Sequence, residues 1–519
     1  MALAKFFEKT ALAASHVLRG FDQKVFLETL LAKTIAVFFD ESAEASREAR
    51  WTLELAVNLL ARLYPRISIV SPHTSKLIEP LSSSAAAINP EIEIDHTLAE
   101  SSMCLVVGKS RPLTRALCVY VGSEGWITKV SSQAPVGSTD VTIPFGADAA
   151  ACIGVANLFR ATFQDQLEDA PSDETWQMSL LDFDPCASRP SNPVPVNADF
   201  DETHLIGLGA IGNGCVWTLS RLRGLRGTLH LVDNQCVELS NLQRYTLTDS
   251  SSIGLSKADF AKDRLASTGL NVIPHPYRWG NYLAQRNNWI LPRVAAAVDT
   301  ASDRQAIQAA LPEWIVNAWT QVGDLGVSRH RFLGDQACLA CLYLPTGPQK
   351  HEDELVAEAI GLPNDKLIVR KLLVTNEALD HEYLSKIAAA TGIDTLELLK
   401  FEGQPLRVFY SQAVCGGVLL RLGATPVTQR RVEVPLAFQS ALAGIFLAAE
   451  LVAKAAGLKT FPPPVTTKID LLRPLGPYVS LPAPKSAAGN CICQDPEYIN
   501  VFLKKYKMRS SESHKISSR

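Results

Sequence analysis

One stretch of the chain, residues 203–257, has the sequence of a strand, a glycine-rich turn, a helix and a second strand. The turn contains three glycines, Gly207, Gly209 and Gly212. A helix is predicted from Cys215 to Arg223, and a second strand from Thr228 to Val232 ends at Asp233. Such a unit presents backbone N–H groups and a helix N-terminus to a phosphate, and a carboxylate to a ribose. The sequence therefore predicts a nucleotide-binding α/β unit in the middle of the chain.

The glycine pattern by itself is most often a dinucleotide site, and Asp233 lies 21 residues after Gly212, near the expected position of a ribose ligand. An NAD-dependent oxidoreductase is therefore one interpretation. Further polar residues follow, namely Asn241, Arg244, Lys257 and Asp299. A nicotinamide enzyme has no obvious need for two cations and a carboxylate around its phosphates, whereas an enzyme that cleaves a triphosphate does.

The composition is that of an ordinary globular protein of two or three domains. The chain has 519 residues, of which 47% are hydrophobic and 20% charged, and its net charge is −3. Nothing in this charge favours nucleic acid or an acidic membrane as a partner, and no apolar run approaches the ~18 residues of a membrane span. Charged residues interrupt the N-terminal segment, so we expect no export. The 11 cysteines are too few for a disulfide scaffold, and we expect a cytoplasmic protein.

The N-terminal part of the chain repeats the order of the middle part without its glycines. A strand, a helix and a strand are predicted at Thr34–Phe39, Ala43–Leu63 and Ile67–Val70. The turn between the first two contains Asp40 and Glu41, which would repel a phosphate. Two short sequences also recur: Trp-Thr-Leu at 51–53 and 217–219, and a proline motif before a small-residue helix at 143–145 and 434–436. We therefore expect a tandem duplication in which only the second copy keeps its nucleotide site.

The middle region resembles the ubiquitin-activating superfamily, which includes the molybdopterin- and thiamine-pathway sulfur-carrier adenylyltransferases. The shared elements are the glycine turn, Asp233, the Ser-Asn-Leu-x-Arg segment at 240–244, Lys257 and the pair Asp299 and Arg304. The resemblance covers 203–345 clearly and 435–495 more loosely. It implies that the chain uses ATP to adenylate the C-terminal glycine of a ubiquitin-like (β-grasp) protein.

The roles that the resemblance implies are also reasonable chemically. A C-terminal carboxylate is ionised at neutral pH and needs no general base, so the barrier lies in bringing an anion onto the α-phosphate and neutralising pyrophosphate. Arg244 and Lys257 would supply positive charge, and Asp299 would hold Mg²⁺. Asp233 would bind the ribose, and Asn241 would donate a hydrogen bond near the phosphates. Taken singly, each could instead be a surface charge or a helix cap.

Two groups of cysteines are candidates for further chemistry. Cys338-x-x-Cys341 and Cys491-x-Cys493 would, by the resemblance, close a structural Zn²⁺ site, although the one-residue spacing of the second pair departs from the family pattern. The alternative is ordinary buried cysteines.

A thioester after adenylation would need a nucleophilic thiol, for which the candidates are Cys186, Cys215, Cys236 and Cys415. Cys415 is favoured because Ser411 could cap a helix there, and an early helical position lowers a thiol pKa. Gly416 and Gly417 leave room for an incoming tail, and the resemblance places a catalytic cysteine in such an insertion. The alternative is a small buried cysteine on a helix.

The resulting fold class is α/β, with tandem Rossmann-like adenylation domains and an inserted, mainly helical cysteine subdomain. The expected parts are an inactive domain (1–169), a linker (170–202), an active domain (203–345 and 435–498), the insertion (346–434) and a C-terminal tail (499–519) that is solvated. Arg19 is a possible arginine lent by the first domain to the active site.

The arrangement is most similar to bacterial activating enzymes of ubiquitin-like conjugation operons used in antiviral defence. It implies a ubiquitin-like protein and a conjugating enzyme as partners, and either a monomeric pseudo-dimer or a homodimer. Three alternatives stay open: a sulfur-carrier adenylyltransferase that stops at the acyl-adenylate, an NAD-dependent oxidoreductase, and a non-catalytic scaffold.

Overall fold

The computed structural model describes residues 3–98, 101–168, 170–344, 352–410, 413, 434–458, 464–476 and 479–516, the last ten of these by their backbone only. The N-terminal part contains a seven-stranded sheet in the order β3-β2-β1-β4-β5-β6-β7. Its strands are β1 (Ile35–Phe39), β2 (Arg66–Val70), β3 (Glu93–Asp95), β4 (Met103–Val107), β5 (Leu117–Glu124), β6 (Ile127–Ser131) and β7 (Thr175–Ser179). The first five strands in this order are parallel, and β6 and β7 are antiparallel additions.

The C-terminal part contains an eight-stranded sheet in the order β10-β9-β8-β11-β12-β13-β14-β15. Its strands are β8 (Asp199–Ile206), β9 (Arg226–Val232), β10 (Asn271–His275), β11 (Arg293–Ala296), β12 (Trp314–Thr320), β13 (Leu325–His330), β14 (Thr466–Ile469) and β15 (Ser480–Leu481). Strand order and direction match those of the first sheet position by position, with β15 added. The two halves are therefore tandem Rossmann-like units, as the sequence predicts.

Helices accompany the strands of both halves, and further helices lie in the segment between β13 and β14. Those of the first half are α1 (Phe7–Ser15), α2 (Gln23–Leu31), α3 (Glu41–Ala45), α4 (Arg47–Ala61), α5 (Ile78–Ile88) and α6 (Phe145–Thr162). The second half begins with α7 (Ala210–Leu219), α8 (Lys257–Arg264), α9 (Trp279–Gln285), α10 (Ala301–Ala309) and α11 (Leu339–Leu342). The insertion has α12 (Glu352–Ala359), α13 (Lys366–Thr375), α14 (His381–Thr391), α15 (Thr395–Leu398) and α16 (Leu406–Phe409), and the chain ends with α17 (Ala437–Ala455) and α18 (Pro496–Ile516).

Four helices, α4, α6, α7 and α17, pack together and join the halves into one hydrophobic core. Phe159 of α6 lies against Phe438 of α17, with ring centroids 5.7 Å apart. The expectation that no apolar run approaches a membrane span is wrong for helix α17, which is long and apolar enough to cross a membrane. However, 94% of its most apolar stretch is buried inside the protein. Because α17 is covered by both halves, its apolar length is explained by its place in the core.

The insertion has an apolar core of its own. Buried residues from α12 to α16, among them Ile360, Leu384 and Phe409, form a cluster that is separate from the main one. The described part of the insertion is helical, in agreement with the prediction. Cys415 lies outside the described residues.

Two expected boundaries differ from the structure. The expected linker contains strand β7, which pairs with β6, and the first residues of β8. The expected solvated tail is wrong for the start of α18, because Phe502 stacks on Phe332 at 5.0 Å and Lys505 is buried. The Lys505 ammonium donates to the carbonyls of Ala310 and Leu311, just beyond α10. The polar, basic composition of the C-terminal segment did not indicate that Lys505 caps α10, because the carbonyls it binds lie in a distant part of the chain.

Asp40 fills the turn after β1 in the first half. Its carboxylate accepts hydrogen bonds from the Ser42 hydroxyl (2.6 Å) and from the backbone N–H groups of Ala43, Lys109 and Ser110 at 3.1, 2.8 and 2.6 Å. Burial opposes the charge, but the hydrogen bonds outweigh it and lower the pKa of Asp40 to about 2. In this turn, the N–H groups therefore bind a carboxylate of the protein itself.

We expect Asp40→Asn to destabilise the protein in a pH-dependent way. The folded-state pKa of Asp40 lies below its ordinary value of 3.8, so its stabilisation is complete above that value and is lost as the pH falls toward about 2. The substitution should lower the free energy of unfolding by about 2 kcal/mol at neutral pH and by less near pH 3. Urea unfolding at both pH values measures this, with the exposed neighbour Glu41→Gln as control. Equal losses at both pH values would contradict the prediction.

We also expect Gly444→Ala to destabilise the helix packing that joins the halves. A Cβ atom at Gly444 would lie 2.3 Å from the Ile211 carbonyl oxygen and 2.6 Å from the Cys215 nitrogen, both backbone atoms that cannot easily move. The loss should be about 1–3 kcal/mol, as for other overpacked cores, measured by chemical unfolding. Gly280→Ala is the matched control, since a Cβ there meets nothing within 4 Å. A stable Gly444→Ala protein would show that α7 and α17 can separate at little cost.

Candidate nucleotide site

The three glycines of the turn after β8 have different surroundings. Gly207 has φ +88°, and a Cβ there would lie 2.6 Å from the Ala297 carbonyl oxygen. A Cβ on Gly212 would lie 2.3 Å from the Gly207 carbonyl oxygen. A Cβ on Gly209 would meet only the Tyr245 hydroxyl, at 3.6 Å. Gly207 and Gly212 are therefore required by the turn and its packing, whereas Gly209 keeps the approach to the N-terminus of α7 open.

Asp233 stands at the end of β9 and is fixed by the backbone on both sides. One carboxylate oxygen accepts from the Leu208 N–H at 2.7 Å, and the other accepts from the Gln235 N–H at 2.9 Å. The first bond ties the carboxylate to the glycine turn itself. Each oxygen keeps a further lone pair for a ligand hydroxyl.

Lys257 is the first residue of α8 and is only 4% exposed. Its ammonium donates to the Gln235 side-chain oxygen at 2.7 Å and to the Tyr245 hydroxyl at 3.2 Å. Both acceptors are neutral, so the positive charge remains available to an anion. Sequence reasoning missed Gln235 and Tyr245. Their only signal is their closeness to Asp233 and Arg244 along the chain.

Arg244 and Asp299 lie near enough to influence each other electrostatically. Burial lowers the pKa of Arg244, and the negative charge of Asp299 is one of the effects that oppose this. Asp299 is exposed, in the loop after β11. Arg304 supports that loop: it donates to the carbonyl of Val298 and, at 2.9 Å, to the side-chain oxygen of Asn317. Arg304 is thus a buried residue of the loop's framework.

Asn241 belongs to a short 3₁₀ turn, Leu239–Gln243, and is nearly buried. Its side-chain oxygen accepts from the Glu238 N–H at 3.0 Å. The oxygen is therefore committed to the turn, and the amide nitrogen is the group that could donate to a ligand.

The structure brings the predicted nucleotide-site residues to one edge of the second sheet. The glycine turn follows β8, Asp233 follows β9 and Asp299 follows β11, and these three strands are parallel neighbours. Open α/β sheets bind ligands at the carboxyl ends of such strands. The exposed guanidinium of Arg19 pairs with Glu168 at 2.7 Å, and Arg473 shares this carboxylate.

Four cysteines meet beside β13 although the two pairs are far apart in sequence. The sulfur atoms of Cys338 and Cys491, and those of Cys341 and Cys493, are 3.5 Å apart. The sulfur atoms of Cys338 and Cys341 are 3.8 Å apart, and all four lie within 4.8 Å of one another. A tetrahedral zinc with Zn–S bonds of about 2.3 Å needs sulfur separations of about 3.8 Å. The cluster therefore fits Zn²⁺, and the short spacing of the second pair is no obstacle.

The other cysteine candidates have different environments. Cys215 is buried in α7, and burial raises its thiol pKa, as expected for a packing residue. Cys186 and Cys236 are exposed.

A second group that could hold a metal ion was missed by sequence reasoning. The ligand atoms of Glu202, His204 and His230 lie within 4.8 Å of one another. Arg286, however, donates to Glu202 at 2.7 Å and contacts the Nε2 atom of His204 at 2.9 Å. A guanidinium already occupies two of the three ligand groups, and His230 is bonded to His275 at 2.9 Å, so the group is an internal network of ion pairs and hydrogen bonds.

Comparisons with known proteins agree with this geometry. The model of the ThiF family matches residues 201–491, and the model described as Prokaryotic E2 family C matches residues 38–164, most of the first half. An uncharacterized protein, y4jF of Sinorhizobium fredii, is 46% identical over 510 residues, which is 98% of each chain.

Two further matches are more distant. "Adenylyltransferase and sulfurtransferase UBA4" of Vanderwaltozyma polyspora is 26% identical over 231 residues, 41% of this chain and 52% of that protein. This chain thus spans about half the length of the yeast protein. A crystal structure of E. coli MccB with MccA-N7isoASN covers 56% of this chain and 66% of its own at 13% identity, with a TM-score of 0.33.

The ThiF model spans more than half of the chain and includes the glycine turn, Asp233, Arg244, Lys257 and Asp299. The chain therefore belongs to the ThiF family.

Proposed function

We propose that the protein is an ATP-dependent adenylyltransferase that activates the C-terminal glycine of a ubiquitin-like protein. The observation that carries this proposal is the Asp233 carboxylate, which is tied to the glycine turn and lies at the same sheet edge as the cations Lys257 and Arg244. Asp233 would accept from the ribose hydroxyls, and the phosphates would lie over Gly209 at the N-terminus of α7.

In this reaction a carboxylate oxygen of the substrate attacks the α-phosphorus of ATP. The bond from that phosphorus to the bridging oxygen breaks, and pyrophosphate leaves. Lys257 and Arg244 would hold the negative charge that moves onto pyrophosphate. Asp299 would hold Mg²⁺, a cation that prefers oxygen ligands and neutralises phosphate charge.

The comparisons support adenylation over hydride transfer. The yeast relative is named an adenylyltransferase and sulfurtransferase, and the family match covers every residue proposed for the phosphates. An NAD-dependent oxidoreductase would leave the buried charge of Lys257 without a task. These observations make adenylation the preferred function.

We further propose that Cys415 receives the activated protein as a thioester. Its thiolate would attack the acyl carbon of the adenylate, and AMP would leave with the electron pair of the broken C–O bond. The protein would then pass to the cysteine of a conjugating enzyme. This proposal rests on the sequence around Cys415 and on its place in the insertion. A sulfur-carrier adenylyltransferase, by contrast, would stop at the adenylate.

The two steps can be tested separately with a glycine-terminated ubiquitin-like protein from the source genome. We expect Asp233→Ala and Lys257→Met to reduce ATP–pyrophosphate exchange by about 10²–10³-fold, because each removes a charged group from the phosphate or ribose site. Cys415→Ala should keep the exchange and lose a reductant-sensitive adduct on a non-reducing gel.

The matched control is Cys236→Ala, which removes an exposed thiol from the same half. An adduct that survives Cys415→Ala would sink the thioester assignment and leave adenylation standing. Failure of exchange with every ubiquitin-like protein, together with tight NAD binding, would sink adenylation itself.

We propose that the four-cysteine cluster holds a structural Zn²⁺. The purified chain should contain about one zinc, since four thiolates form one closed tetrahedral site. Cys341→Ser should lose the metal and lower the melting temperature, whereas Cys186→Ser, at an exposed thiol, should change neither. Elemental analysis and thermal unfolding measure both effects. Full zinc content in Cys341→Ser would contradict the assignment.

The proposal extends to partners and setting. The helices of both halves share one core, which favours a monomeric pseudo-dimer as the active unit. A ubiquitin-like protein and a conjugating enzyme would be the partners, in the cytoplasm, as in conjugation systems for antiviral defence. The genes beside this one would test that setting.

A further inference from the structure

Arg62 belongs to the first half of the protein, and its side chain binds the second half. It directly follows the last residue of α4, and its side chain is among the largest that are fully buried, at 2% exposure. A buried guanidinium must find hydrogen-bond acceptors, because leaving a charged donor without partners is costly. The acceptors of Arg62 therefore identify what it holds.

Those acceptors are mostly backbone carbonyls of residues 242–248. The guanidinium donates to the Leu242 carbonyl, to the Thr248 carbonyl at 2.7 Å and, more weakly, to the Thr246 carbonyl at 3.5 Å. Its Nε atom donates to the Asn58 side chain at 3.0 Å. Asn58, also on α4, donates in turn to the Thr246 carbonyl at 3.0 Å.

The held segment lies inside the candidate nucleotide site. It contains Arg244 and Tyr245, and the Tyr245 hydroxyl accepts from Lys257 at 3.2 Å. The same hydroxyl faces Gly209. A shift of this segment would therefore move Arg244, a proposed phosphate ligand. It would also move Tyr245, which holds the other proposed ligand, Lys257.

Arg62 should stay charged in this place. Burial lowers its pKa to about 9, and the nearby charge of Asp249 partly opposes the shift. At neutral pH the guanidinium keeps its donors, so the contact with the three carbonyls does not depend on pH in the working range.

We propose that Arg62 is a positioning residue: the first half, whose own turn is filled by Asp40, holds residues 242–248 in the shape that binds ATP. The inference rests on the proposed function of this site. It gives the first half a task in the reaction although no atom of it is assigned to the nucleotide.

Arg221 provides a matched control because it crosses the same interface in the opposite direction. It begins in the second half and pairs with Glu54 at 2.8 Å and with Asp148 at 3.7 Å, both in the first half. Among the described residues, no hydrogen bond or ion pair joins Glu54 or Asp148 to residues 242–248. Removal of the Arg221 side chain should weaken the interface between the halves and leave residues 242–248 in place.

The test uses the full chain with Arg62→Met, Arg62→Lys and Arg221→Met. Hydrogen exchange of peptides covering 242–248 measures, without any ligand, how firmly Arg62 holds this segment. Calorimetry with ATP and Mg²⁺ measures the affinity for ATP. We expect Arg62→Met to speed exchange in this segment and to weaken ATP binding by about tenfold or more, a change of about 1.4 kcal/mol. Arg62→Lys should recover part of both, and Arg221→Met should leave both within about twofold of the unmodified chain.

Wild-type exchange and ATP affinity in Arg62→Met would overturn the proposal, as would equal losses in Arg221→Met. If Arg62→Met does not fold, Asn58→Leu removes the bond to the Thr246 carbonyl and the acceptor of the Arg62 Nε atom, and unchanged exchange of residues 242–248 overturns the proposal instead. If Arg62→Met speeds exchange but the unmodified chain does not bind ATP, the role of Arg62 in holding residues 242–248 is supported. The adenylation function is then overturned.

Discussion

The close contact of α7 with α17 is the constraint on which the rest of the protein depends. Gly214 and Gly444 let the two helix backbones approach so closely that a Cβ on either would lie within 3 Å of the other helix's backbone. Helices α4 and α6 of the first half close the same core. This packing joins the two halves through their helices. The N-terminus of α7, with its glycine turn, lies at the end of the second sheet where Asp233 and Asp299 also lie.

The two halves use the same topology to opposite effect. In the first half, Asp40 lies in the turn after β1, and N–H groups of the loop after β4 donate hydrogen bonds to its carboxylate. In the second half, the equivalent turn has glycine, and the equivalent loop carries Asp299 instead. One arrangement satisfies its own anion, and the other leaves room for a ligand. A duplicated fold thus supplies one open turn and one closed turn.

Much of the second half could be predicted from sequence because its signals are local. A turn is predicted by three glycines, Gly207, Gly209 and Gly212. Asp233 ends a short strand, and a helix lies between the turn and that strand. The predicted helix began at Cys215, whereas α7 starts at Ala210, because a helix N-terminus made of glycine and alanine gives little periodic signal. Tyr245 was missed for another reason. Its role depends on Lys257 reaching it across the turn.

Residue type and spacing by themselves predicted the glycine-rich α/β unit and the duplication, whereas the pairing of Cys338 and Cys341 with Cys491 and Cys493 was implied only by the family resemblance. The tertiary structure alone decided what distant groups do to one another. Arg62 lies 180 residues before the Leu242 carbonyl that it binds, and the N–H groups that bind Asp40 come mainly from a loop about 70 residues away. Backbone donors and acceptors are the same at every position, so no residue pattern can reveal which of them a charged side chain will meet.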